Sequence, residues 1–345
     1  MGALTLVSRI DASFGVALPT YAGDATGTPG AEEYWGLYDM TLNDDVAWDR
    51  VAEFAKSAES LGYGSLWAPD HFMLGKDGMT FEAWTTLSAL SQVTRRVELG
   101  TWVACNNYRN PAIVAKMASS LALMSGDRFV LGYGAGWYQL EYRALGYEFP
   151  PPGRRVDMLI EGVEVIRGLM EGGKFSYKGK YYSVDGMVNN PRPSRRVPLL
   201  IGGWGRRVIG VAAKYADEWD IGAEPSYPEY KEKGGLLTEE LKKNGRKADE
   251  VKRSIHVHVL IAEDEDQLRE KKRRVMSVVD ALGSSVVQLP SADYRFDIDK
   301  AIVGTPSQVR ERLKRYVDLG CQRFELMFMD YPKYKSMELF SSTVF

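Results

Sequence analysis

Apolar residues along the chain follow two rhythms that alternate from one end to the other. Short dense runs, rich in β-branched and aromatic residues, fall at 14–18, 65–68, 97–103, 129–131, 197–201, 218–221, 255–262 and 323–329, and each reads as a buried strand. Between them apolar side chains return every third or fourth residue, the period of a helix with one buried face. Val51, Phe54, Ala55, Ala58 and Leu61 set the first such stretch, which Asp44 or Asp45 can cap and Gly62 stops. Further helices are predicted at 81–93, 111–124, 137–145, 156–169, 208–215, 227–244 and 266–282, and Thr305 with Pro306 opens another.

The stretch 97–137 holds the repeating unit whole. A strand meets a polar loop at 106–111. Pro111 then occupies a first helical turn, where its missing N–H costs nothing. Ser125-Gly126-Asp127-Arg128 breaks that helix, and a second strand runs into Gly132-Tyr133-Gly134-Ala135-Gly136. Parallel strands need such helical crossovers. The alternation predicts a closed (β/α)8 TIM barrel, with an open doubly wound sheet as second choice. No linker interrupts the pattern, so 1–345 reads as one domain with insertions near 19–43, 172–190 and 283–303. The first carries Tyr34, Trp35 and Tyr38 and reads as an ordered lid; the second holds a small hairpin over 175–184.

Composition narrows the partners. A net charge of −2 offers no basic surface for nucleic acid or for a membrane. No run approaches the roughly 20 apolar residues of a membrane span, and the N-terminus lacks the apolar core of a secretion signal. Cys105 and Cys321 lie far apart without metal spacing, as expected of a reduced cytoplasmic protein. With only His71, His256 and His258 present, a multi-histidine metal site is not expected. His256 and His258 share one strand face without an evident third ligand and read as structural. A small-molecule substrate is the expected partner.

Candidate chemistry gathers where strands end, the face on which barrels build their sites. Asp70 and His71 follow the second strand. A histidine there can donate to a cofactor oxygen or exchange a proton with substrate; alternatively the pair only fixes its loop. Gly132, Gly134 and Gly136 admit the close approach of a flat ring, or make a tight turn and nothing more, since their spacing departs from a dinucleotide fingerprint. Gly202-Gly203-Trp204-Gly205-Arg206-Arg207 joins a strand to a helix and reads as a phosphate cradle, with backbone N–H groups, a helix N-terminus and Arg206 or Arg207 as donors, or else as a solvated turn. Cys105 has no histidine beside it and reads as an inert thiol.

These segments, in their order and spacing, resemble the bacterial luciferase-like superfamily of FMN- or coenzyme F420-dependent oxidoreductases. The resemblance runs over about 14–345. It is carried by Leu66-Trp67-Ala68-Pro69-Asp70-His71-Phe72, by Leu99-Gly100-Thr101 through Arg109-Asn110-Pro111, by Ser125-Gly126-Asp127-Arg128 and by 131–137. Glu141, Arg155, Gly179-Lys180-Tyr181-Tyr182, Ala216-Asp217-Glu218-Trp219 and Gly304-Thr305-Pro306 continue it. It implies a (β/α)8 barrel that binds FMN or coenzyme F420 at its C-terminal mouth, and a homodimer. Asp70 and His71 would stand on the catalytic side. Trp102, Val103 and Ala104 would flank the ring, with a non-proline cis peptide at Trp102–Val103. Gly134, Gly136 and Trp137 would contact the cofactor, and Gly202, Gly203, Trp204, Gly205 and Arg206 would receive its phosphate. Many coenzyme F420 dehydrogenases of the family carry a proton-donating glutamate where this chain has Trp137, which leaves Glu141 as a substitute. The implied reactions are oxygenation of a small organic substrate through reduced FMN, or hydride exchange with coenzyme F420. A non-catalytic flavin-binding barrel is the third possibility.

Overall fold

The computed structural model describes residues 10–20, 48–73, 80–282, 298–329 and 334–345. Its strands in chain order are β1 (Ser13–Ala17), β2 (Ser65–Ala68), β3 (Glu98–Thr101), β4 (Ala104–Cys105), β5 (Phe129–Gly134), β6 (Lys174–Lys178), β7 (Ser183–Val188), β8 (Leu199–Gly202), β9 (Glu218–Ala223), β10 (Lys252–Ile261), β11 (Ile302–Gly304) and β12 (Arg323–Phe328). The helices are α1 (Trp48–Ser60), α2 (Ala83–Val93), α3 (Pro111–Ser125), α4 (Gln139–Ala144), α5 (Pro152–Glu171), α6 (Arg206–Tyr215), α7 (Tyr227–Lys243), α8 (Glu265–Leu282), α9 (Pro306–Val317) and α10 (Lys335–Val344). Strands β1, β2, β3, β5, β8, β9, β10 and β12 pair in that order, all parallel, and β12 returns to β1, so the sheet is a closed (β/α)8 barrel. No helix among the described residues is long and apolar enough to cross a membrane.

Alternation along each strand separates two interiors. Phe324, Leu326 and Phe328 of β12 join the layer between sheet and helices, as do Leu66, Leu99, Leu131, Leu199 and Trp219. The barrel bore holds a second, smaller cluster of Trp67, Val130 and Leu200, with Trp102 and Val103 packed against it. Trp67 fills the bore because Gly15 and Gly100 make room: a Cβ on Gly15 would lie 2.8 Å from its Nε1, and one on Gly100 would overlap its ring. Arg323 crosses below, its guanidinium 5.2 Å from the Trp67 ring and 2.8 Å from Glu98.

Local signals account for the helix ends. Asn110 caps α3 by accepting from Ala112 N at 2.9 Å, Pro111 follows it, and Gly126 closes the helix at φ +68°. Ser226 and Glu229 form a reciprocal capping box on α7.

Four elements differ from the sequence expectation. The strand expected over 97–103 is broken: β3 stops at Thr101, the Trp102–Val103 peptide is cis as the family resemblance implied, and Ala104–Cys105 resume as β4, which pairs with β5. The hairpin of β6 and β7 spans 174–188, longer than 175–184. The range 283–303 ends in β11, which pairs with the far end of β10. The C-terminal helix α10 was not anticipated; it buries Met337, Phe340 and Val344 over the outer layer. Most of the lid expected over 19–43, the cap at Asp44 or Asp45, and most of 283–303 lie outside the described residues.

Candidate active site

His71 follows β2, and its ring is held from behind. Nδ1 lies 2.9 Å from Oε2 of Glu141, which α4 carries. The Glu141 side chain is fully buried. Its Oε1 accepts from the backbone N–H of Phe72 at 2.7 Å and of Met73 at 2.8 Å, and its Oε2 also accepts from the Tyr108 hydroxyl at 2.6 Å. Burial alone would raise the Glu141 pKa; the bonds from His71, Tyr108 and Met73 outweigh it and hold the carboxyl below its ordinary range. The same bond has the opposite effect on Tyr108, whose hydroxyl is pushed far up by burial and by the neighbouring negative charge. Edges of Trp137 and Tyr138 line the His71 ring at centroid distances of 5.4 and 5.6 Å.

Asp70 does not share this position. It is buried, and its Oδ2 accepts from Cys105 N at 2.9 Å and from Arg109 at 2.8 Å, while Arg109 also reaches Glu82. Burial raises its pKa against the opposing pull of Arg109. Asp70 therefore ties the β2 loop to β4, and of the expected catalytic pair only His71 is partly exposed. Cys105 is buried against the Tyr142 hydroxyl at 3.1 Å, and burial pushes its thiol up to about 12, so it is inert.

The ends of β3, β5 and β8 converge on Val103. A Cβ on Gly134 would stand 2.8 Å from Val103 Cγ2, and one on Gly202 would stand 3.0 Å from Cγ1. Bare backbone on these two strands is what lets the bulge at Trp102, Val103 and Ala104 sit inside the mouth. The Trp102 indole N–H is buried without an acceptor among the described residues, and its ring meets His256 edge-on at 4.3 Å between centroids. Gly136 adopts φ +77° where a side chain would strike Tyr142 and Cys105. Trp137 is exposed above it.

The expected phosphate cradle is rearranged in part. Gly203 N–H already donates to Asp220 O at 2.9 Å, and Gly203 O accepts from Trp219 Nε1 at 2.9 Å, so this residue extends the ladder between β8 and β9. Arg207 is turned outward to Asp157 and Gly153 O. What remains open is the start of α6: Gly205 gives it no side-chain cap, so its first-turn N–H groups face outward beside exposed Trp204 and Arg206.

Across the mouth, His256 Nδ1 meets Asp220 Oδ1 at 3.2 Å and His258 Nδ1 meets Glu224. All three histidines of the chain are thus bonded to a carboxylate through Nδ1. Sequence spacing gave no sign of this for His71, whose partner lies 70 residues away. Tyr108, which reads from the sequence only as a hint of an aromatic pocket, bonds Glu141 instead, and Tyr138 was missed because only folding brings it to the His71 ring.

A family profile described as luciferase-like monooxygenase matches residues 13–323. The F420-dependent glucose-6-phosphate dehydrogenase of Microbacterium testaceum is 32% identical over 303 residues, 82% of this chain and 87% of that protein. Among solved structures, an F420-dependent secondary alcohol dehydrogenase in complex with an F420–acetone adduct aligns with a TM-score of 0.76 at 21% identity, over 97% of this chain and 98% of that one. Riboflavin lyase with modified FMN and riboflavin aligns with a TM-score of 0.80 at 16% identity, over 97% and 90%. At these identities the two structures show a shared fold.

Proposed function

The chain belongs to the luciferase-like monooxygenase family, and on that premise we propose that it is a coenzyme F420-dependent dehydrogenase of a small hydroxyl-bearing substrate. The similarity to a dehydrogenase that uses this coenzyme, over most of both chains, supports the choice within the family. The observation that carries it is His71, a ring at the mouth with one nitrogen committed to a buried carboxylate.

The residues present fit a flat ring bearing a phosphate chain. The bulge at Val103, which side-chain-free Gly134 and Gly202 admit into the mouth, gives a flat ring a surface to lie against. The buried, unpaired Trp102 N–H and the uncapped start of α6 are donors awaiting acceptors. Trp102, Val103, Ala104, Gly134, Gly136 and Trp137 would hold the ring, and Trp204, Gly205 and Arg206 the phosphate. A bound deazaflavin would supply the hydride acceptor, taking two electrons with the hydrogen of the carbinol carbon. His71 takes the proton that must leave the hydroxyl as that C–H bond breaks and the C=O forms. Trp137 and Tyr138 flank this ring and keep bulk water from it.

Titration of the protein with coenzyme F420 and with FMN, each followed by anaerobic assay on a panel of alcohols, tests the reading. Binding of coenzyme F420 with its reduction by an alcohol is expected, and His71→Ala should retain binding while losing about 10²–10⁴-fold in turnover. Binding of FMN alone, with no reduction of coenzyme F420 by any alcohol, would overturn it.

A further inference from the structure

We propose that Glu141 is the positioning residue that fixes the tautomer of His71, so that Nε2 presents a lone pair to the mouth. This rests on the acid–base role given to His71 above. An ionised carboxylate only accepts hydrogen bonds. Nδ1, 2.9 Å from Oε2, must therefore carry the proton, and in the neutral ring Nε2 has none. Among the described residues no group bonds Nε2. The carboxylate cannot turn away, because Oε1 is fixed by the N–H groups of Phe72 and Met73 and Oε2 by Tyr108. These donors come from the β2 loop and from the loop before α3, so the dyad is built by three separate segments. When His71 takes a proton from substrate, the same carboxylate faces the new positive charge. The Glu141 pKa lies below the ordinary range, which keeps it ionised where the enzyme works.

The arrangement makes one substitution unusually informative. In Glu141→Gln the N–H groups of Phe72 and Met73 still require an acceptor, so the amide oxygen takes the Oε1 place. The NH2 group then takes the Oε2 place and points at Nδ1. Nδ1 must now accept, the proton moves to Nε2, and the lone pair at the mouth is lost. Packing is nearly unchanged, since the two side chains have the same shape.

Two-bond ¹H–¹⁵N spectra of protein labelled at histidine nitrogens read this directly, with only three histidines to resolve. The signals absent from His71→Ala assign residue 71. In the native protein, at a pH where the ring is neutral, the pyridine-type nitrogen should be Nε2; in Glu141→Gln it should be Nδ1. Turnover of Glu141→Gln should fall about 10²–10⁴-fold with cofactor affinity unchanged. A native ring protonated on Nε2 overturns the proposal without need of any variant, and so does an unchanged tautomer in Glu141→Gln. A chain that turns over no alcohol but shows both expected tautomers would instead refute the dehydrogenase reading and leave the dyad standing.

Discussion

Glu141 and Glu325 are the same residue type, both with side chains sealed from solvent, and the fold treats them in opposite ways. Glu141 sits where a loop, a helix and a tyrosine meet, and four donors reach it. Its carboxyl is held below the ordinary range. Glu325 points into the bore from the middle of β12, opposite His256 of β10 and Gly15 of β1 in register. Among the described residues neither of its oxygens has a hydrogen-bond partner, and burial pushes its pKa well above the ordinary value, with Arg323 opposing and Asp220, Glu218 and Glu98 adding to the rise. The difference is one of backbone. A strand inside a barrel spends its N–H groups on the ladder, whereas a loop and a helix start have N–H groups to spare. Burial alone thus says nothing about charge; the supply of donors decides it.

The widest gap between the two sites should appear on truncation. Glu141→Ala leaves two backbone N–H groups and a tyrosine hydroxyl without their acceptor, and should lower stability by about 3–5 kcal/mol in urea unfolding at pH 7. A loss under 1 kcal/mol would mean that water replaces the carboxylate there.

A smaller effect of opposite sign is expected at Glu325. Its folded pKa is raised, so the folded state binds the extra proton, and its contribution is full at low pH and lost as pH rises above about 4.3, the unfolded value. Glu325→Gln mimics the protonated form. It should match the native protein at pH 4 and be more stable by about 1–2 kcal/mol at pH 8. Equal stability at both values would show that Glu325 is ionised in the bore.

The smallest change sharpens the comparison. Tyr108→Phe removes one donor from Glu141 and should cost about 1 kcal/mol. The sign with pH is the reverse of that for Glu325. Glu141 has a depressed folded pKa, so its contribution is present above the unfolded value and lost as pH falls through the folded one. Without Tyr108 the folded pKa rises toward the unfolded one, so that loss should be smaller and complete at a higher pH in stability-versus-pH curves; an unmoved curve would assign the depression to the other donors.

Much of the architecture was legible because it rests on periodicity. Strands and helices alternate with hydrophobic rhythms fixed by 2-residue and 3.6-residue repeats, and Pro111, Gly126 and Thr305 punctuate them through their own backbone limits. The same local logic placed Val103, Gly134 and Gly202 at one mouth, since parallel strands in a barrel all end on one side. It failed where a residue's role depends on a distant partner. Asp70 and His71 are neighbours in sequence, yet one is tied to Cys105 and Arg109 and the other to Glu141. Gly203 looked like a phosphate donor until β9 took its N–H.

The sequence by itself therefore determined the barrel, its order of elements and the rim on which the chemistry sits, because these follow from short-range geometry repeated eight times. Only the tertiary structure decided which histidine nitrogen is committed, which carboxylate is charged and which amides are free. Those properties belong to pairs of groups up to 70 residues apart, and hydrogen bonding and dielectric environment come into being only when the chain closes on itself.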